Sequence, residues 1–226
     1  MESDLPVKAG DLRRARMVRD LEARGIANRR VLDALGAIPR EPFVEEALRT
    51  KAYGDAALPI GEKQTISQPF IVARMCELAE PNGSGRVLEI GSGSGYHAAV
   101  LSRLFEHVYS VERLAVFSKR ARETVRALGI ETVHFKIFDG SYGWSEFAPY
   151  SAIVVTAAAP DVPAPLLDQL EEGGRLVLPI ASKGAGTGDG GEQTLTRVVK
   201  ISGGIRREDH GPCRFVPLLG KFGWTA

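Results

Sequence analysis

The chain has 226 residues, enough for one large domain with small additions and a substantial core. Its 44% hydrophobic and 25% charged residues are ordinary for a globular protein. Twenty-nine basic against 28 acidic residues leave a formal charge of +1, which gives no support to a dedicated nucleic-acid binder.

The first residues, MESDLPVKAGDLRRARMV, hold no apolar run of signal-peptide type. Nowhere does the chain approach the roughly 20 apolar residues of a membrane helix. A cytoplasmic protein without membrane contact is the expectation. Leu12, Ala15, Val18 and Leu21 fall at helical spacing, with Gly25 to end the helix. Arg13, Arg14, Arg16 and Arg19 read as its solvated face. Asn28 can cap a second helix carrying Val31, Leu32 and Leu35, which stops before Pro39. PREPFVEEALRTKAY reads as a turn and a short helix, and ALPIGEKQTISQPF, with two prolines and a glycine, as irregular. Pro69 suits the first turn of a helix reaching about Glu80. Residues 1–80 thus read as a helical region with one odd loop.

After the break PNGSG the rhythm changes. RVLEIG, HVYSVE, VHFKIF, SAIVVTAA and GRLVLPIA read as strands, separated by the helical stretches YHAAVLSRLF, LAVFSKRARETVRALG and APLLDQLEE. Strand–helix alternation implies a parallel sheet covered on both faces. TLTRVVKISGGIRRED and CRFVPLLG read as strands turning at GG, so the sheet should end antiparallel. Residues 81–226 form this second region, within one structural unit overall. KGAGTGDGGE (183–192) reads as a flexible hairpin tip, since no Gly-Lys-Ser/Thr leads from it into a helix. Cys76 and Cys213 are too few for a disulfide framework or a zinc site, and no metal is expected.

The stretch VLEIGSGSGYHAAV places Gly91, Ser92, Gly93 and Gly95 after a strand and before a helix. Glycine there permits a sharp turn and close ligand approach, and the helix start offers free N–H groups. Glu112 ends the next strand, 21 residues after Gly91, where an acid can hold both ribose hydroxyls; its alternative is a surface carboxylate. The spacing G-S-G-S-G differs from the G-x-G-x-x-G of dinucleotide folds. With Glu89 ahead of it, the loop resembles the first motif of the Rossmann-like, class I S-adenosylmethionine methyltransferases. That resemblance implies cofactor contacts at Glu89, Gly91, Ser92, Gly93, Gly95 and Glu112, and near the adenine at Asp139 and Gly140 of FDGS. Asp139 could equally just start a turn.

LPIGEKQTISQPFIVARM, the glycine loop, VTAAAPDVP, EEGGRLVLPI and RFVPLLGKFGW follow in one order that closely resembles the protein-L-isoaspartate O-methyltransferase family. The likeness runs from about residue 10 to the C-terminus. It implies a mainly parallel sheet with antiparallel C-terminal strands and an N-terminal helical addition. It also implies methyl transfer from S-adenosylmethionine to isoaspartyl residues of damaged proteins and peptides. Ser67 takes the place of the family's catalytic serine. Pro59, Ile60, Thr65, Ile66, Gln68, Ala157, Ala158 and Val216 would border the peptide groove. Ser151 and Glu62–Lys63 depart from the family's usual residues, the latter at the rim of the loop. A monomer is favoured.

The chemistry explains a stretch with no His, Cys or carboxylate. An isoaspartyl α-carboxyl has a reference pKa of about 3.3 to 3.7 and is already a nucleophile at neutral pH. Neutral donors would position it without setting a cation against a sulfonium. The residues alone leave a second reading of QTISQPF, a helix entry with Ser67 as cap before Pro69. No G-x-S-x-G surrounds Ser67, so a hydrolase triad is a poor fit. A methyltransferase acting on a small molecule or RNA, and a nonenzymatic cofactor-binding module, are the competing readings. VTAAAP stands where an adenine-directed enzyme would carry an Asn-Pro-Pro-Tyr type motif. His97, Cys213 and Trp224 are read as structural.

Overall fold

In the computed structural model, which describes residues 9–182 and 191–225, three helices and a small hairpin precede the sheet. The helices are α1 (Ala9–Ala23), α2 (Arg29–Ala37) and α3 (Pro69–Leu78). The expected face of α1 is corrected: Met17 and Leu21 are buried and Val18 packs against them, whereas Leu12 is 62% exposed and Ala15 faces solvent. Apolar spacing identified the helix, but which turn meets the core is decided by where α2 and α3 lie. Asn28 caps α2 through Val31 N–H, and Val31, Leu32 and Leu35 are buried as their spacing predicts.

The stretch expected to be irregular is ordered. Strands β1 (Leu58–Gly61) and β2 (Gln64–Ile66) pair antiparallel, Leu58 opposite Ile66 and Pro59 opposite Thr65. Glu62 and Lys63 make the turn with φ of 46° and 55°. Left-handed conformations at both turn residues match the twist of a two-residue hairpin, though neither is a residue that favours them. Pro59 is compatible with a two-stranded sheet because both strands are edges.

From β3 (Arg86–Ile90) the chain alternates: α4 (Tyr96–Leu101), β4 (His107–Glu112), α5 (Ala115–Ala127), β5 (Val133–Ile137), β6 (Tyr150–Val155), α6 (Ala164–Asp168) and β7 (Leu170–Ala181). Strands β8 (Gln193–Ile201) and β9 (Gly204–Cys213) follow. The sheet order is β5-β4-β3-β6-β7-β8-β9, parallel from β5 to β7 and antiparallel at the β7–β8 and β8–β9 pairings. Successive residues of a strand face opposite sides. Val87, Val108, Ala152 and Val154 therefore join one core with the three N-terminal helices, α4 and α5. Leu88, Ile90, Tyr109, Ile153 and Val155 join another beneath α6. Burial on both faces is why these strands are almost wholly apolar. Most of the glycine-rich 183–192 stretch, residues 183–190, lies outside the described residues.

From β3 the chain passes to β4 on one side and, after β5, returns to β6 on the other. That makes the carboxyl ends of β3 and β6 a topological switch point, where open sheets of this type bind ligands. The β1–β2 hairpin sits over it: Ile60 Cδ1 lies 3.6 Å from where a Cβ on Gly93 would stand.

Candidate active site

At the end of β3 the loop Gly91–Gly95 is fastened to both neighbouring strands. Gly91 has φ of 96°, and a Cβ there would stand 2.3 Å from Thr156 Oγ1. The Thr156 hydroxyl, just past β6, is within hydrogen-bonding distance of the carbonyls of Ile90 (3.0 Å) and Gly91 (2.7 Å). On the other side Glu112, buried at the end of β4, accepts from Gly93 N–H at 3.1 Å and Leu114 N–H at 2.9 Å. Hydrogen bonds to a carboxylate are the stronger kind, so Glu112 sets the loop's shape. Each of its oxygens retains a lone pair for a ligand. Gly95 plays a different part: with φ of 89°, its missing Cβ makes room for Ala121 of α5, which would be 2.8 Å away.

Behind the loop runs a buried polar chain. The Ser92 and Ser110 hydroxyls are 2.5 Å apart, and Ser110 is hydrogen-bonded to Glu89. Glu89 is fully buried, its second oxygen lacks a hydrogen-bond partner, and His97 Nδ1 is 4.0 Å from it. His97 Nε2 in turn lies 3.2 Å from Cys76 Sγ. Burial pushes Glu89 up to about 8, opposed by the Ser110 bond and helped by the nearby Glu112. It pushes His97 down to about 4. Both are therefore neutral at pH 7. His97 offers no proton acceptor with a pKa near neutrality, which agrees with its structural reading.

The QTIS stretch forms the opposite wall. Thr65 and Ile66 end β2, Ser67 and Gln68 follow, and Pro69 opens α3. The alternative reading of Ser67 as the cap is not what the structure shows. The N-cap is Gln68, with no side-chain bond, and the Phe70 N–H is taken by Asp55 at 2.9 Å. Among the described residues nothing bonds to the Ser67 hydroxyl, while its carbonyl accepts from Arg40 at 2.6 Å.

A third wall comes from the C-terminus. Ala158 N–H donates to Val216 at 2.7 Å, Leu218 N–H donates back to Ala158 at 2.8 Å, and the Trp224 indole donates to the same carbonyl at 3.0 Å. Trp224 is thus the structural residue it was read as. Asp139 secures the same segment. One oxygen accepts from the Ser141 N–H and hydroxyl, the other from Lys221 N–H at 2.8 Å.

These walls enclose a cavity of about 940 Å³. Of the residues singled out by sequence, Gly91, Ser92, Gly93, Glu112, Gly140, Thr65, Ile66, Ser67, Gln68, Ala157 and Val216 line it together. Glu89, Gly95, Asp139, Pro59, Ile60 and Ala158 are not part of the lining. Sequence reasoning missed Thr156, which fastens the loop, and most of the 212–219 wall. It also missed Arg40, which bonds the Ser67 carbonyl from behind, and Asp55, which caps α3 at Phe70. Among the described residues no group of His, Cys, Asp or Glu could hold a metal, and no helix is long and apolar enough to cross a membrane.

The residues fit a nucleoside with an aminoacid tail. A buried acid, Glu112, flanks the switch point, and the side-chain-free glycines leave room for close approach. A solved protein-L-isoaspartate O-methyltransferase matches 93% of this chain and 67% of its own, with a TM-score of 0.83 and 33% identity. A putative one from Plasmodium falciparum, solved in complex with S-adenosyl-L-homocysteine, shares the fold at 23% identity. Its TM-score is 0.73, over 90% of this chain and 96% of its own. Fold and site together define a class I S-adenosylmethionine-dependent methyltransferase.

The family model of protein-L-isoaspartate(D-aspartate) O-methyltransferases matches residues 12–223. Protein-L-isoaspartate O-methyltransferase 2 of Geotalea uraniireducens (strain Rf4) is 50% identical over 217 residues, 95% of this chain and 97% of its own. The enzyme of that name from Geobacter metallireducens is 50% identical over 216 residues, again 95% and 97%. The chain belongs to the protein-L-isoaspartate O-methyltransferase family.

Proposed function

We propose that this chain methylates the free α-carboxylate of L-isoaspartyl residues in proteins and peptides, with Ser67 holding the carboxylate. One observation carries the reading. An unbonded hydroxyl, Ser67, lines the same cavity as the glycine loop and Glu112, and the one histidine lining it, His97, is held neutral by burial. With its pKa held at about 4, His97 is a weak base. A reaction needing only alignment is well served.

S-adenosylmethionine, when bound, supplies a methyl group on a sulfonium sulfur that leaves with the carbon–sulfur electron pair. The chain's part is positional. The Glu112 carboxylate holds the nucleoside half, and the side-chain-free Gly91 and Gly93 let the cofactor approach the main chain closely. The Ser67 hydroxyl donates a hydrogen bond to one carboxylate oxygen, leaving a lone pair of the other free to attack. Gln68 and Thr65 shape the loop around it, and the Val216 segment and Ala157 flank the peptide. Small and apolar neighbours suit recognition of main chain rather than of one side chain. Isoaspartyl proteins are the partners this implies, in the cytoplasm.

Ser67→Asp separates this role from a structural one, because Asp repels a carboxylate. The variant should fold and bind S-adenosylhomocysteine like the parent yet lose about 10²-fold or more in turnover, the cost of misplacing a reactant by about 1 Å. Parental turnover in Ser67→Asp would show that the carboxylate is held elsewhere.

A further inference from the structure

Arg40 lies between α2 and the β1–β2 hairpin and is fully buried. Its Nε donates to the Ala52 carbonyl at 2.8 Å and Nη2 to the Ser67 carbonyl at 2.6 Å. Nη1 is buried without a partner. The guanidinium carbon lies 4.7 Å over the ring of Tyr96, itself part of the cavity wall.

Among the described residues no carboxylate is within ion-pair distance of this cation. Asp55, the acid whose field reaches it, is paired with Arg24 and accepts from Phe70 N–H. Neighbouring Glu41 accepts from the Tyr53 hydroxyl. Burying an ion without a counter-ion is costly, and apolar groups of similar size commonly serve a core as well or better. Packing alone would not call for a guanidinium here. An anion is missing, and the acceptor carboxylate would supply one on the far side of Ser67.

We propose that Arg40 is a positioning residue for the acceptor carboxylate: bonded to the Ser67 carbonyl, it fixes that main chain and gives the acceptor half of the cavity an uncompensated positive field. The inference rests on the reading of Ser67 as the carboxylate holder. Unlike Lys63, Arg113 and Arg214, which line the cavity, Arg40 is a buried cation held on the Ser67 main chain. The charge stands behind one peptide group, outside the lining.

The full chain and the variants Arg40→Met, Arg40→Gln and Arg40→Lys test it. Each is checked by thermal melting and by calorimetry with S-adenosylhomocysteine. The readouts are KM and kcat for an isoaspartyl peptide, and the inhibition constant of the same peptide with that α-carboxyl replaced by carboxamide. The neutral variants should fold, bind S-adenosylhomocysteine like the parent, and raise KM for the carboxylate about tenfold, as expected for loss of an interaction with a charged group. The carboxamide's inhibition constant should move less than about twofold, since a neutral ligand gains little from the charge. Arg40→Lys should recover most of the parental KM. Equal weakening of carboxylate and carboxamide, or an unchanged KM in a neutral variant, would overturn the proposal. So would failure of both neutral variants to fold while Arg40→Lys folds, which would make the charge a requirement of the fold. A parent inactive on isoaspartyl peptides would sink the functional reading itself, before any variant is compared.

Discussion

Asp55 accepts the Phe70 N–H at 2.9 Å and so caps the helix that Ser67 precedes. A carboxylate 15 residues upstream thus does what the local sequence assigns to Ser67. The consequence is chemical: Ser67 lines the cavity with a hydroxyl that has no partner among the described residues. Asp55→Ala should lower stability by about 0.5 to 2 kcal/mol, the range for a lost cap. Ser67→Ala should change it by less than about 0.5 kcal/mol, as for sites without such a feature. Denaturant melts of both variants check this; the reverse order would restore Ser67 as the cap.

The turn of the β1–β2 hairpin is strained by its residues. Glu62 and Lys63 both sit at positive φ, a conformation that costs L-residues roughly 1 to 2 kcal/mol each. Replacing the pair by Asn-Gly should raise stability by about 1 kcal/mol or more, since that dipeptide favours the turn. Thermal melting gives the answer. Both residues also line the cavity rim, so the same variant reports whether their charges influence peptide KM.

Glu89 makes a pH prediction. Burial raises it from 4.5 to about 8, so the folded chain keeps a proton that the unfolded chain releases above 4.5. Stability therefore falls as pH rises through that window, by at most about 1.4 kcal/mol per pH unit from this group. Glu89→Gln, which cannot ionise, should gain stability over the parent increasingly from pH 5 to 8, on the order of 1 kcal/mol or more. A constant difference across that range would mean Glu89 is not held neutral. His97 runs the opposite way: held down at about 4, it stays neutral while the unfolded imidazole charges, so its contribution is lost as pH falls below 6.5.

Glu112 joins the glycine loop to the ligand. Its bonds to Gly93 and Leu114 N–H groups, together with those it would offer a ribose, are of the charged kind. Glu112→Ala should weaken S-adenosylhomocysteine binding by roughly 1.5 to 3 kcal/mol. Calorimetry that finds the affinity unchanged would remove Glu112 from the cofactor site.

The parallel core was legible because strands buried on both faces, such as Val87–Ile90 and Ile153–Val155, must be continuously apolar. The glycine loop and Glu112 were legible because a switch-point site needs those residue types at those places. What stayed hidden depends on pairing between distant segments. The β1–β2 hairpin was masked by Pro59 and by a turn with no Asn or Gly. Arg40, next to Pro39, looks like any surface arginine until burial places it against Ser67. The 212–219 wall is held by Phe215 on Gln193 and by Val216 and Leu218 on Ala158, some 60 residues earlier in the chain, and single-sequence patterns carry no trace of that. Asp139 gave no sign in the sequence that its carboxylate also fastens the C-terminal segment, through Ser141 and Lys221. Leu12 kept the spacing of a core residue while lying on the outer face of α1.

The most direct measurement compares methyl-ester formation on two synthetic peptides that differ only in whether one aspartyl residue is linked through its β- or its α-carboxyl. With S-adenosylmethionine as donor, the β-linked, isoaspartyl peptide should be methylated, with kcat/KM at least about 10²-fold above its partner, because only one arrangement sets the carboxylate in line. Equal rates on the two peptides, or none on either by a chain that binds S-adenosylhomocysteine, would contradict the account.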